Sequence, residues 1–323
     1  MRRLKRTALL VGALSVVTGG IIIYQTQAGP DATEPERISD VECLRKMSLD
    51  LTYQGPTEQD VADLESGAAT LADMADRYMA GDEFAAVVFD WYRQQFPQTE
   101  TSPTDIDYEE PSRIAQYVVV GDRDYREVLT GDYTVGGQGD TGTVTDRPPA
   151  GVLTTQHYMS AYTGSFRRNW AGHFLKEWAG ILLEPVTLPP EDEARDLSPD
   201  SLLTDPACSF CHANETFGVD FLAAFSQCYD EQGVYTPDCT EDNSGTFLLE
   251  SGAGIQELGQ IVAASNEFKS TTVNLFYKRL FGRLLAVQEA EFYSQAAREL
   301  SDSGYSAKAL IRFLVTSDQY CSN

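Results

Sequence analysis

Residues 208–212 read Cys-Ser-Phe-Cys-His, and no other string restricts the fold of this chain as much. Two thiols three positions apart, with an imidazole directly after the second, form the attachment pattern of a c-type haem. In that chemistry both thiols add to porphyrin vinyl groups, and the adjacent ring is carried onto the iron as its proximal ligand. Cys208 and Cys211 are therefore candidate cofactor-binding residues, and His212 is a candidate both for cofactor binding and for iron ligation. Holding a covalently attached haem requires a wide apolar slot, which helix faces line readily. The same five residues also fit a disulfide pair or half of a zinc site.

The N-terminus bears on the compartment. Met-Arg-Arg-Leu-Lys-Arg is cationic, and residues 7–24 then carry no charge over 18 positions. Such a segment stands between a signal peptide and a short membrane anchor, and Thr26-Gln27-Ala28 offers a small-x-small cleavage site. No Cys follows the apolar run, so a lipoprotein anchor is not indicated. Residues 1–28 are expected to act as a signal peptide or N-terminal membrane anchor. The remainder is then periplasmic or secreted, either released or held at the inner membrane. Bacteria attach haem to such motifs outside the cytoplasm, so the two signals agree.

Charge narrows the partners. The whole chain carries 24 basic and 49 acidic side chains, and four of the basic ones fall in residues 1–28, which hold no acid. The exported part thus has 20 basic groups against 49 acidic ones, a net of −29. Nucleic acid is excluded, because polyanion binding needs clustered Lys and Arg. An acidic surface suits a solvated exported protein or docking to a basic redox partner.

Six cysteines fit an oxidising compartment. With Cys208 and Cys211 on haem, four remain and allow three pairings. Cys228 with Cys239 would clip the irregular loop 232–243, and Cys43 with Cys321 would staple the N-terminal helix to the C-terminus.

Patterning predicts a mainly α, multi-helix exported protein with a haem-binding module and irregular Gly/Pro/Asp-rich loops. An N-terminal helical module spans 34–97, a middle one 110–190, and the haem-motif and C-terminal helical module 200–323. In the first, Leu44, Met47, Leu49 and Leu51 recur near helical spacing, Thr57 caps a second helix starting at Glu58, and 82–96 forms a third. Residues 99–110 read as an acidic linker. Val118 to Val120 form a short apolar run, 123–129 a helix, and 136–149 a loop. Helical patterning covers 156–183, and 188 onward is extended up to the motif. Beyond it, helices are expected over 219–229, 255–264, 270–285, 289–302 and 306–317.

Several strings resemble a known set. Gly121-Asp122-Arg123-Asp124-Tyr125-Arg126-Glu127-Val128-Leu129-Thr130-Gly131-Asp132-Tyr133-Thr134 is similar to a signature of planctomycete- and myxobacterial-type exported cytochrome-c-like proteins, built from consecutive domains of unknown function. Gly151-Val152-Leu153-Thr154, Asp205-Pro206-Ala207-Cys208 through Gly218, and Gly304-Tyr305-Ser306 with Val315-Thr316-Ser317-Asp318 resemble their later modules, in the same order. The resemblance implies a secreted, helical, haem-bearing protein. One departure is that Glu215-Thr216-Phe217 stands where relatives carry an Asp-Pro pair.

The sixth iron position decides between electron carrier and catalyst. No Met follows Met159, so a downstream Met ligand is ruled out. His173, with Glu177 four residues on to steady its ring, is the leading distal candidate, and some relatives share its His-Phe-Leu step. His157, Met159 and an open site remain as alternatives. Arg167 and Arg168 suit the surface, haem propionates or, at an open site, a bound peroxide.

Other constellations carry less. Asp105, Asp107, Glu109 and Glu110 lack the Gly and terminal Glu of a Ca²⁺ loop and read as solvated acids. Asp122, Asp124 and Asp132 read as caps. Gly136-Gly137-Gln138-Gly139 has no following Lys-Ser/Thr, and no Ser elbow or His-Glu-x-x-His occurs. Trp170 and Trp178 read as core. The expected function is single-electron transfer by an exported monohaem c-type cytochrome. The alternatives are a peroxidase-like haem enzyme and a zinc- or disulfide-stabilised interaction protein.

Overall fold

The N-terminal helices start where a hydroxyl stands three residues before an acid. Ser39 precedes α1 (Asp40–Thr52), Thr57 precedes α2 (Glu58–Glu65), and Thr70 precedes α3 (Leu71–Met79). Each hydroxyl accepts from the backbone N–H three positions on. The acid there (Glu42, Asp60 or Asp73) reaches back to the cap N–H. Two of the donors that a helix start leaves bare are thus satisfied together. Thr57 caps as expected. The segment that follows is two helices, because Gly67 at φ +72° and the Thr70 cap break the run.

The computed structural model describes residues 36–96, 106–161, 166–183, 198–214, 216, 218–239 and 242–322. The leader, most of the 99–110 linker, residues 184–197 with the stretch expected to be extended from 188, and Glu215 and Phe217 of the departing turn lie outside them. No helix among the described residues is long and apolar enough to cross a membrane.

The fold is mainly helical. α4 (Asp82–Gln95) buries Phe84, Val87, Val88, Trp91 and Tyr92, the stripe read from its spacing. α5 (Glu110–Val120) lies along it and buries Val118 and Val119. What reads as an apolar run is thus the end of a helix that opens on Glu110-Pro111, where proline's missing N–H costs nothing. α6 (Glu127–Thr130) follows. The loop expected over 136–149 holds the turn and second strand of an antiparallel hairpin, β1 (Tyr133–Val135) with β2 (Thr141–Thr143), in register Tyr133 to Thr143. Then come α7 (Gln156–Ser160), α8 (Phe166–Trp178), α9 (Pro199–Thr204), α10 (Pro206–His212) and α11 (Val219–Ala223). A second hairpin, β3 (Ser244–Phe247) with β4 (Glu250–Ala253), leads into α12 (Gly254–Ala264), α13 (Asn266–Phe281), α14 (Ala290–Asp302) and α15 (Ala307–Val315).

Buried side chains from all three expected modules join one core that runs from Cys43 to Cys321. Trp170 and Trp178 belong to it. The strings that carry the resemblance interlock inside it. Asp124 bridges to Ser306, Tyr125 donates its N–H to the Tyr305 carbonyl at 2.9 Å, and Gly151 donates its own to Gly131 at 2.9 Å. Gly151 sits at φ +53°, and any side chain would strike the Val128 carbonyl. Only glycine meets both demands.

Both disulfides expected from spacing are present, Cys43 to Cys321 and Cys228 to Cys239. The first joins α1 to the chain end. There Ile38 donates its N–H to the Cys321 carbonyl, Lys46 Nζ donates to the Tyr320 carbonyl at 2.9 Å, and Arg37 pairs with Asp318.

Candidate haem-attachment site

Pro206 begins α10, and the helix places Cys208 and Cys211 at i and i+3, with His212 at i+4 from the first thiol. Residues at those spacings share a helix face. Four of the six cysteines form disulfides, and the two left as thiols are those of the motif, both partly exposed. Phe210 between them is 65 % exposed. Leu203 on α9 and Phe221 on α11 are exposed too, on the helices that pack beside α10.

The imidazole is held from one side. Nδ1 of His212 lies 2.6 Å from Oδ2 of Asp220, so it carries the proton and donates it to the carboxylate. In a neutral ring held this way, the lone pair falls on Nε2, the atom an iron ligand must present. The other carboxylate oxygen, Oδ1 of Asp220, accepts from Nε of Arg168 on α8 at 2.6 Å. Arg167 beside it donates to the Gln227 carbonyl at 2.9 Å and so fixes α8 against the end of the α11 segment. Both arginines, read as surface or propionate groups, thus have protein partners.

The turn from α10 to α11 is tight. Gly218 donates its N–H to the Asn214 carbonyl at 2.6 Å, and Asn214 Oδ1 accepts from the Thr216 N–H at 2.8 Å. A Cβ at Gly218 would stand 2.4 Å from the Asn214 carbonyl oxygen and 2.8 Å from that of His212. Glycine here lets the chain fold back far enough for Asp220 to reach His212.

The distal candidates occupy different places. His173 is partly buried on α8, five residues beyond Arg168, about 7.5 Å along the helix axis. Burial, and then the charge of Lys176, lower its pKa, so its ring keeps a lone pair to lower pH. His157 is fully buried on α7, with Nε2 3.2 Å from the Phe96 carbonyl and its ring edge-on to Tyr108. Burial lowers its pKa as well. Met159 is buried in the core.

Among the described residues, no three His, Cys, Asp or Glu side chains group as a metal site. A structural zinc site draws four protein ligands, whereas a porphyrin asks the protein for one or two. The acids of the 99–110 segment are engaged otherwise. Asp107 and Glu109 pair with Arg113, and Glu110 pairs with Arg147 at 2.5 Å, while Asp105 lies outside the described residues. Asp122 accepts from the Ser306 hydroxyl, and Asp124 accepts from the Arg126 N–H, as caps do.

Asp220 is the site residue that sequence reasoning missed. Its one signal is an acid in the first turn after a glycine, eight residues past His212. Compared with protein-family models, curated proteins and solved structures, the chain matches none of them.

Proposed function

We propose that this chain is an exported monohaem c-type cytochrome that transfers single electrons. The state of the cysteines carries the reading: four close disulfides, and the two motif thiols stay free on one face of α10 beside a ring whose Nδ1 is held by Asp220. Bound haem supplies a one-electron iron couple. Cys208 and Cys211 each add sulfur to one vinyl carbon and hydrogen to its neighbour, giving two thioethers. His212 would hold the iron through Nε2, and His173 is the proposed second ligand. The acidic surface would receive a basic partner, outside the cytoplasm.

A catalytic reading draws on the Asp220 contact, since a carboxylate on the proximal ring makes that ligand more basic. Optical spectra of protein exported from a host with haem-attachment machinery separate the two. A pyridine haemochrome band that survives acid acetone, and is lost in Cys208→Ala/Cys211→Ala, is expected. Its absence in the native chain sinks the proposal. Low-spin bands indifferent to cyanide point to transfer, and a high-spin spectrum shifted by cyanide or peroxide points to catalysis. His173→Ala should turn low spin to high spin, and an unchanged spectrum removes His173 as the ligand.

A further inference from the structure

A carboxylate 2.6 Å behind the ring of a proposed axial ligand has its own consequence. Resting on the haem reading, we infer that Asp220 is a positioning residue that fixes the tautomer of His212 and holds down the reduction potential of the iron, with Arg168 limiting how far. Three observations carry this. Asp220 binds Nδ1 and not Nε2, so it acts on the ring without competing for the metal. Its second oxygen is taken by Arg168 from a different helix, so the carboxylate cannot turn away from the ring without breaking an ion pair. The turn that delivers it is closed so tightly that only glycine fits at 218.

The chemistry follows from charge. A carboxylate accepting the Nδ1 proton puts negative charge on the imidazole, and a more basic ring favours the more highly charged, oxidised iron. Arg168 withdraws part of that charge through its own hydrogen bond to the same group. Side chains of His212, Asp220 and Arg168 are 22 %, 19 % and 29 % exposed, so water screens this chain of contacts only in part. A purely structural Asp220 would join α8, α10 and α11 and leave the iron indifferent to it.

The test is spectroelectrochemical titration of the haem-loaded, full-length protein. Asp220→Asn keeps the shape and removes the charge. At a fixed potential it should raise the ratio of reduced to oxidised iron at least tenfold, about 59 mV for one electron. Asp220→Glu should stay within threefold of the parent, and Arg168→Gln should move the ratio the other way by a smaller factor. A ratio within twofold of the parent in Asp220→Asn, at equal haem content, overturns the inference. Should that variant fail to accumulate, the haem-free Cys208→Ala/Cys211→Ala protein decides by ¹⁵N NMR. His212 protonated on Nδ1 supports the assignment, and His212 protonated on Nε2 overturns it. If the native chain carries no haem, both this inference and the function it rests on fall. Haem present with an unmoved potential sinks the inference alone.

Discussion

Tyr92 and Tyr125 share a single hydrogen bond, 2.6 Å between hydroxyl oxygens, inside the core. Burial pushes both phenols up, well clear of neutral pH, so the pair stays uncharged. Removing one hydroxyl strands the other without water. Tyr92→Phe and Tyr125→Phe should each cost about 1–3 kcal/mol, while the double variant should cost clearly less than their sum. Urea denaturation of the four proteins gives the coupling, and strictly additive losses would mean that the bond contributes nothing. Neither role was legible in the sequence, where Tyr92 reads as one of five residues on an apolar stripe and Tyr125 sits in a string known only by resemblance. Asp220 was hidden more deeply, because an acid eight places beyond His212 looks like any other among 49. The two thiols and the imidazole were legible as a candidate site because their spacing matches a haem-attachment pattern. The groups around them come from separate helices, and only folding brings those together.

Among the elements, α4, α12 and α15 were readable because each has a sustained apolar face and a clear stop. The hairpin β3–β4 was not, because its turn lacks the residues that announce one. Leu248 and Leu249 occupy the tip at φ +50° and +73°, where Asn-Gly is usual. Leu248 is compensated, since it packs on the core and its N–H donates to the Thr216 carbonyl at 2.8 Å, beside the turn after the motif. Leu249 is 66 % exposed and holds its left-handed backbone with little burial in return. Leu249→Gly should therefore stabilise the protein by about 1 kcal/mol, the cost of a left-handed non-glycine residue. A rise in the thermal midpoint supports this, and a fall would mean that the leucine side chain contributes more than its backbone costs.

Over the whole molecule, the two ends of the described chain are locked to each other. Tyr320 donates its hydroxyl to Asp50 at 2.5 Å, and Lys46 lies 4.1 Å from the centre of the Tyr320 ring. Burial raises the Asp50 pKa, against the pull of the Tyr320 hydroxyl and Lys46. The folded protein therefore keeps this proton at pH values where the unfolded chain, titrating near about 3.9, has lost it. Stability from this group is present in acid and drains away as pH rises from about 4 through the folded value. Asp50→Asn removes the drain, so its advantage over the parent should grow with pH across that window and then level off. Urea midpoints at pH 4, 5, 6 and 7 test it, and an advantage independent of pH would reject it. Reducing the Cys43–Cys321 bond, or replacing both residues by Ser, should cost about 2–5 kcal/mol, because a long loop is released in the unfolded state. A denaturation midpoint indifferent to reductant would contradict that. The bond joins residues 278 positions apart, so nearly all of the described protein hangs as one covalent ring from a pair of sulfur atoms. A protease that severs one peptide bond anywhere within that ring makes two fragments yet leaves a single molecule, and the cut stays invisible until the sulfurs are parted.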